Sequence, residues 1–178
     1  MTTTQLHLFN ALYLVVLVVV AVLTRATWRR IAGALAGGAV FGVLGLGIIA
    51  FGERVGWWHM AISWEPWPLT LLLIDFAMAA FIYLVTWRIA RRFGWRGLAV
   101  VLVAVAIIGP PRDYWYMRHF PEWGSHAPGI APILAISATY VLMVVVGHGV
   151  MRLIAGPSRA DRLARRPWEA GWPGAAAD

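Results

Sequence analysis

Most side chains in this 178-residue chain that could do acid–base or metal chemistry fall in two short segments between long apolar runs. The first holds Glu53, Arg54, His59 and Glu65. The second holds Arg112, Asp113, Arg118, His119, Glu122 and His126. Imidazole and carboxylate together suit zinc, copper or iron, and Met60 and Met117 beside His59 and His119 would suit copper. In such a centre His59, His119 and His126 would be the ligands, with Glu65, Glu122 or Asp113 as the acid or base. The spacing matches no standard ligand pattern. HxxxH and ExxH are both absent, and Pro121 between His119 and His126 keeps helical periodicity from aligning the two rings. The competing reading is a solvated layer held by ion pairs and Trp/Tyr packing.

Two further residues stand apart from these segments. Asp75 lies seven residues past Pro68, about 10 Å along a helix, inside an apolar run. An ionisable side chain within a membrane span is costly and is a functional hypothesis by default. Asp75 is expected to carry protons or anchor a ligand, or to serve as interhelical glue by pairing with an arginine of the outer connectors or by hydrogen-bonding Ser137, Thr139 or Tyr140. His148 sits in Gly147-His148-Gly149. Flanking glycines leave room for something flat, and imidazole is a haem ligand, so haem is one reading and a packed histidine the other.

Composition excludes several chemistries. The chain has no cysteine, which removes iron–sulfur clusters, thiolate metal sites and covalently attached c-type haem. All fifteen basic residues are arginine, so no lysine is present to form a Schiff base with retinal or pyridoxal phosphate. The net charge of +7 raises the question of nucleic acid. The arginines flank apolar runs, however, and form no basic stripe with interleaved aromatics, so nucleic acid is not an expected partner.

The elements that must position these residues are membrane helices. The chain is 61% hydrophobic with a mean hydropathy of +0.71, above the roughly 45–50% of soluble domains. Five apolar spans are expected, at about 8–24, 31–51, 68–86, 97–109 and 128–151. Twelve arginines (Arg25, Arg29 and Arg30; Arg88, Arg91, Arg92 and Arg96; Arg152, Arg159, Arg162, Arg165 and Arg166) fall at one set of span ends, against Arg54, Arg112 and Arg118 at the other. Positive residues stay cytoplasmic. The fold class is therefore an all-α integral membrane protein of five spans in a bacterial inner membrane, amino terminus outside. Residues 1–155 form one membrane domain and 156–178 a cytoplasmic arginine-rich tail with a short surface helix near 159–166. The start is not read as a cleaved signal peptide, because the charges follow the apolar run.

The fourth span is short at twelve residues, about 18 Å of helix against a hydrocarbon core of about 30 Å. It is expected to begin earlier, to meet a thin region, or to be re-entrant. Pro110-Pro111 is expected to end it, with RDYWYMRHF as a short interfacial helix in the 110–127 connector. Gly33 and Gly37, then Gly38 and Gly42, recur at four-residue spacing, which lets membrane helices approach closely. All eleven tryptophans lie at span ends, in connectors or in the tail, as interfacial tryptophans do. Gly52, Trp58, Met60 and Glu65 recur 57 residues later as Gly109, Trp115, Met117 and Glu122, a possible duplication.

No motif names a reaction. The expected function is that of a non-catalytic accessory or scaffold subunit of a larger membrane assembly, contacting lipid, quinone or pigment and other membrane subunits. The alternatives are a metal-dependent enzyme or metal-binding protein at the outer face, and a small proton-coupled transporter using Asp75.

Overall fold

The structure is a computed structural model that describes residues 3–60 and 67–156, apart from the side chains of Thr3, Leu6, residues 67–72, Ile74 and Asp75. Glu65 and the arginine-rich tail beyond Gly156 lie outside the described residues. The elements in order are α1 (Thr3–Leu23), α2 (Trp28–Arg54), β1 (Trp58–Met60), α3 (Trp67–His119), a 3-10 turn (Pro121–Trp123), β2 (Gly124–His126) and α4 (Ile130–Ala155). Three helical stretches, Trp28–Arg54, Phe76–His119 and Ile130–Ala155, are long and apolar enough to cross a membrane, and His7–Leu23 is a shorter apolar helix.

Helix α3 is two arms joined at Gly94, whose φ of 66° and ψ of −149° lie outside the helical region. Glycine takes this conformation because it has no Cβ to clash. Met78, Ala79 and Ile82 of the first arm line one small cavity with Ala104, Val105 and Ile108 of the second. The arms therefore fold back on each other about a single residue. The expected connector of Arg88, Arg91, Arg92 and Arg96 is instead helix on both sides of that hinge.

Pro110 and Pro111 do not end the helix; they lie within it. This corrects the expected stop and the separate interfacial helix after it. Proline normally breaks a helix interior because it lacks an N–H and crowds the carbonyl four residues back. For Pro110 that carbonyl is Ala106 O, and Ser137 Oγ of α4 donates to it at 2.7 Å. A neighbouring helix supplies the missing donor, which is how membrane helices accommodate internal proline. The second arm therefore runs over 95–119, 25 residues or about 37 Å of helix. The helix expected over 97–109 therefore extends at its carboxyl end to His119. The helix stops at His119 because Pro121 follows; Phe120 takes φ −129° and ψ 67°, outside the α region that a following proline disfavours.

Helix α2 lies between α3 and α4, and its glycines make this possible. A Cβ on Gly33 would stand 2.8 Å from Met151 O of α4, and one on Gly37 would stand 2.6 Å from Gly147 O. On the adjoining face, a Cβ on Gly38 would stand 2.5 Å from Phe76 O of α3. Gly42 is buried on the same helix. The expected close approach is therefore present on two faces. The core around it contains Ala34, Ala80, Tyr83, Leu84, Trp87 and Met151, all nearly inaccessible.

Charge is segregated along the bundle. At one end Arg30 lies over the Trp87 ring at 3.9 Å with Arg91 at 5.6 Å, and Arg88 donates to Thr24 O at 3.4 Å. The opposite end carries the β1–β2 ribbon. The ribbon was not expected from sequence; it pairs Trp58 with His126 and Met60 with Gly124, antiparallel. The duplication does not extend to local structure there, because Trp58 lies on a strand and Trp115 on a helix.

Candidate functional site

The ribbon divides its residues by the two-residue alternation of a strand. His59 and Ser125 pair on one face and are exposed; Trp58 and His126 pair on the other and turn inward. The chain reaches this geometry by reversing at Gly56 (φ 73°) just past α2. The Trp58 ring then folds over Gly52, where a Cβ would overlap it, and its Nε1 donates to Ile49 O at 3.0 Å. The Tyr114 hydroxyl donates to Ala127 O at 2.7 Å and holds the far side of the ribbon to α3.

Beneath the ribbon is a cavity of about 280 Å³. Phe9 and Tyr13 of α1, Ile48 and Ile49 of α2, and Ile136 and Met143 of α4 form its apolar walls. Arg112, Asp113, Tyr140, Trp123 and His126 supply the polar groups. Helix α1 packs along α3 and has no comparable packing with α2, so the cavity occupies the space between α1 and α2.

Its polar edge is a three-residue cluster. Arg112 Nε and an Nη donate to Asp113 Oδ1 at 3.1 and 3.0 Å. The Tyr140 hydroxyl donates to Asp113 at 2.8 Å (Oδ1) and 3.0 Å (Oδ2), and it accepts from Arg112 Nη. The Tyr140 ring fits against the helix because position 109 is glycine; a Cβ there would overlap it. The cluster is electrically balanced, one guanidinium against one carboxylate.

His126 and Trp123 face the cavity differently. The His126 ring lies 5.0 Å from Tyr114 and 6.3 Å, edge-on, from Trp58. Both its ring nitrogens, and the Nε1 of Trp123, are shielded from water and have no hydrogen-bond partner among the described residues. Burial holds the His126 pKa below its ordinary 6.5, with Asp113 opposing the shift in part. Buried groups without partners cost about 1–3 kcal/mol each and call for an explanation in a native structure.

Of the candidate residues, Arg112, Asp113 and His126 come together around one cavity. The other histidines do not join them. His59 faces outward with Nδ1 3.9 Å from Glu53 Oε1, and His119 stacks on Trp115 at 4.2 Å. Among the described residues, no three His, Cys, Asp or Glu groups lie close enough to hold a metal ion. Glu122 is exposed in the 3-10 turn. Asp75 lies within α3 but its side chain is outside the described residues. The hydroxyl hydrogens of its expected partners go elsewhere: Ser137 to Ala106 O, Thr139 to Ala135 O at 2.8 Å, and Tyr140 to Asp113.

His148 is 5% exposed in the opposite half of the bundle, with Nδ1 2.9 Å from Thr86 Oγ1. The flat group that Gly147 admits is the Tyr83 ring, which a Cβ at 147 would overlap, and the Tyr83 hydroxyl donates to Met143 O at 3.0 Å. Sequence reasoning missed Tyr140, Trp123 and Trp58 as site residues. The three-residue spacing of Ser137 and Tyr140, which places both on one face of α4, was the available signal for the first.

No protein-family model, no curated protein and no solved structure matches this chain.

Proposed function

We propose that the chain is a multi-pass subunit of a bacterial inner membrane, with five spans, its amino terminus outside and its carboxyl terminus cytoplasmic. The five spans are α1, α2, the two arms of α3, and α4. One observation carries the reading: large apolar side chains face outward along the helices while the arginines collect at one end. Leu12, Val15, Val18 and Val22 project from α1, and Val100, Val103, Ile107 and Ile108 from the second arm of α3. In water such surface would drive association; in a bilayer it faces lipid or a neighbouring subunit. Arg25, Arg29, Arg30, Arg88, Arg91, Arg92, Arg96 and Arg152 all lie toward the end opposite the ribbon, and positive residues mark the cytoplasmic side.

Within that setting the role is that of an accessory or scaffold component. Its support is a small glycine-seated core with long outward apolar faces and exposed Trp28, Trp95 and Trp115 near the helix ends. The absence of cysteine allows a direct test of topology. Cysteine placed at exposed Ser125, in the ribbon, is expected to react with an impermeant thiol reagent added to intact cells. Cysteine at exposed Thr27 is expected to react only after the membrane is opened. The reverse pattern overturns the orientation. Extraction in mild detergent is expected to give a complex larger than the 19.6 kDa chain, and a lone monomer in native mass measurement overturns the subunit role.

A further inference from the structure

The cavity beneath the ribbon combines three properties. Its walls are apolar and partly aromatic, its charge is balanced, and its polar wall holds nitrogen groups that have no hydrogen-bond partner among the described residues. We infer that it is a binding site for a neutral, lipid-soluble ring bearing hydrogen-bonding oxygens, of the quinone or quinol class.

Charge decides against an anionic headgroup. Among the described residues that line the cavity Arg112 is the one cation, and it is already engaged by Asp113 at 3.0 Å and by the Tyr140 hydroxyl. A phosphate would have to displace that carboxylate or lie beside it. A carbonyl or hydroxyl oxygen carries no such cost. Trp123 Nε1 offers a donor, and a neutral imidazole offers one donor and one acceptor, so the pair can serve either the carbonyl or the hydroxyl form of such a ring after small rotations.

Shape decides against a plain acyl chain. The Trp123 indole is itself packed by Phe120 at 4.5 Å, Phe9 at 5.6 Å and Tyr116 at 5.9 Å, and the rings of Phe9, Tyr13, Tyr116 and Tyr140 line the cavity. Aromatic walls of this kind suit a flat partner. An apolar cavity of about 150 Å³ admits benzene, so about 280 Å³ leaves space for a substituted ring. An isoprenoid or alkyl tail would pass between α1 and α2, where the walls are Ile48, Ile49 and Tyr13.

The inference depends on the membrane setting as the source of ligand and not on the subunit role, so the two fail separately. The full chain in phosphatidylcholine nanodiscs is titrated with decyl-benzoquinone, and binding is read by tryptophan fluorescence and by the unfolding temperature. Saturable quenching with a rise in unfolding temperature is expected, and dodecanol, which has the tail without the ring, is expected to give neither. Trp123→Phe and His126→Leu are each expected to weaken binding about five- to tenfold, the size of one lost hydrogen bond, with helical circular dichroism unchanged. Quenching that never saturates, an equal response to dodecanol, unchanged affinity in both variants, or displacement by equimolar phosphatidylglycerol overturns the proposal. Should the variants not fold, an azido-benzoquinone photolabel on the unmodified chain decides. Label in the peptides carrying Phe9–Tyr13 and Trp123–His126 supports the site, and label confined to the outward face of 100–108 overturns it.

Discussion

Ser137 Oγ donates to the carbonyl of Ala106 at 2.7 Å, across the interface between α4 and the second arm of α3. That carbonyl is the acceptor which Pro110 leaves without its helical donor. Ser137→Ala is expected to destabilise the bundle by about 1–3 kcal/mol, the cost of a partly buried acceptor left unmet. In a Pro110→Ala background the helix supplies its own N–H, and the same change is expected to cost well under half as much. A double-mutant cycle on unfolding in denaturing detergent measures the difference. Equal costs in both backgrounds would show that the hydroxyl does not compensate the proline.

The glycine seam separates tight from open positions. Gly37→Ala is expected to destabilise by about 1–3 kcal/mol, as overpacking does, because the added carbon stands 2.6 Å from Gly147 O and 2.9 Å from the Tyr83 ring. A Cβ on Gly47 of the same helix would meet nothing within 4 Å among the described residues that pack on it. Gly47→Ala is therefore expected to be neutral or to stabilise by up to about 1 kcal/mol through helix propensity. Thermal unfolding of the two variants side by side checks the contrast.

His126 links stability to pH. Its folded-state pKa lies below 6.5, so the unfolded chain binds the proton more readily. Stability is expected to fall as pH drops below about 6.5 and to level off once pH passes the folded value. The unfolding temperature measured from pH 8 to pH 4.5 should show this step, and His126→Phe should remove it. A step of the same size in the variant would assign the effect to other groups.

Thr86 and His148 form a nearly inaccessible pair, 1% and 5% exposed, joined at 2.9 Å between α3 and α4. Thr86→Val keeps the shape and removes that bond. A loss of about 1–3 kcal/mol is expected, together with a changed imidazole environment in nitrogen NMR. Unaltered stability and an unaltered imidazole signal would show that the pair adds nothing.

Features set by neighbours in sequence were the legible ones. The four-residue spacing of Gly33 with Gly37 and of Gly38 with Gly42 is local, and it marks α2 as the closely packed central helix, with the approach seen at Gly33, Gly37 and Gly38. The arginine distribution likewise located one end of the bundle. The site was only partly legible, because its partners come from remote positions. Arg112, Asp113 and His126 could be listed as candidates, yet nothing in sequence says that Trp58 pairs with His126, since three-residue strands carry no usable period. Pro110-Pro111 read as a stop because its compensating hydroxyl, Ser137, belongs to another helix. By type His119 belongs with the other histidines, whereas its ring is occupied by its own helix through Trp115, four residues earlier.

The reversal of α3 at Gly94 is one residue long, and this has a geometric consequence. A longer loop absorbs insertions; a one-residue joint transmits them. One residue added there would turn the whole second arm by about 100°, given 3.6 residues per turn. Arg112 and Asp113 lie about 27 Å further along that arm, so the aim of the guanidinium and carboxylate at Tyr140 is fixed by chain count at the opposite extremity of the molecule.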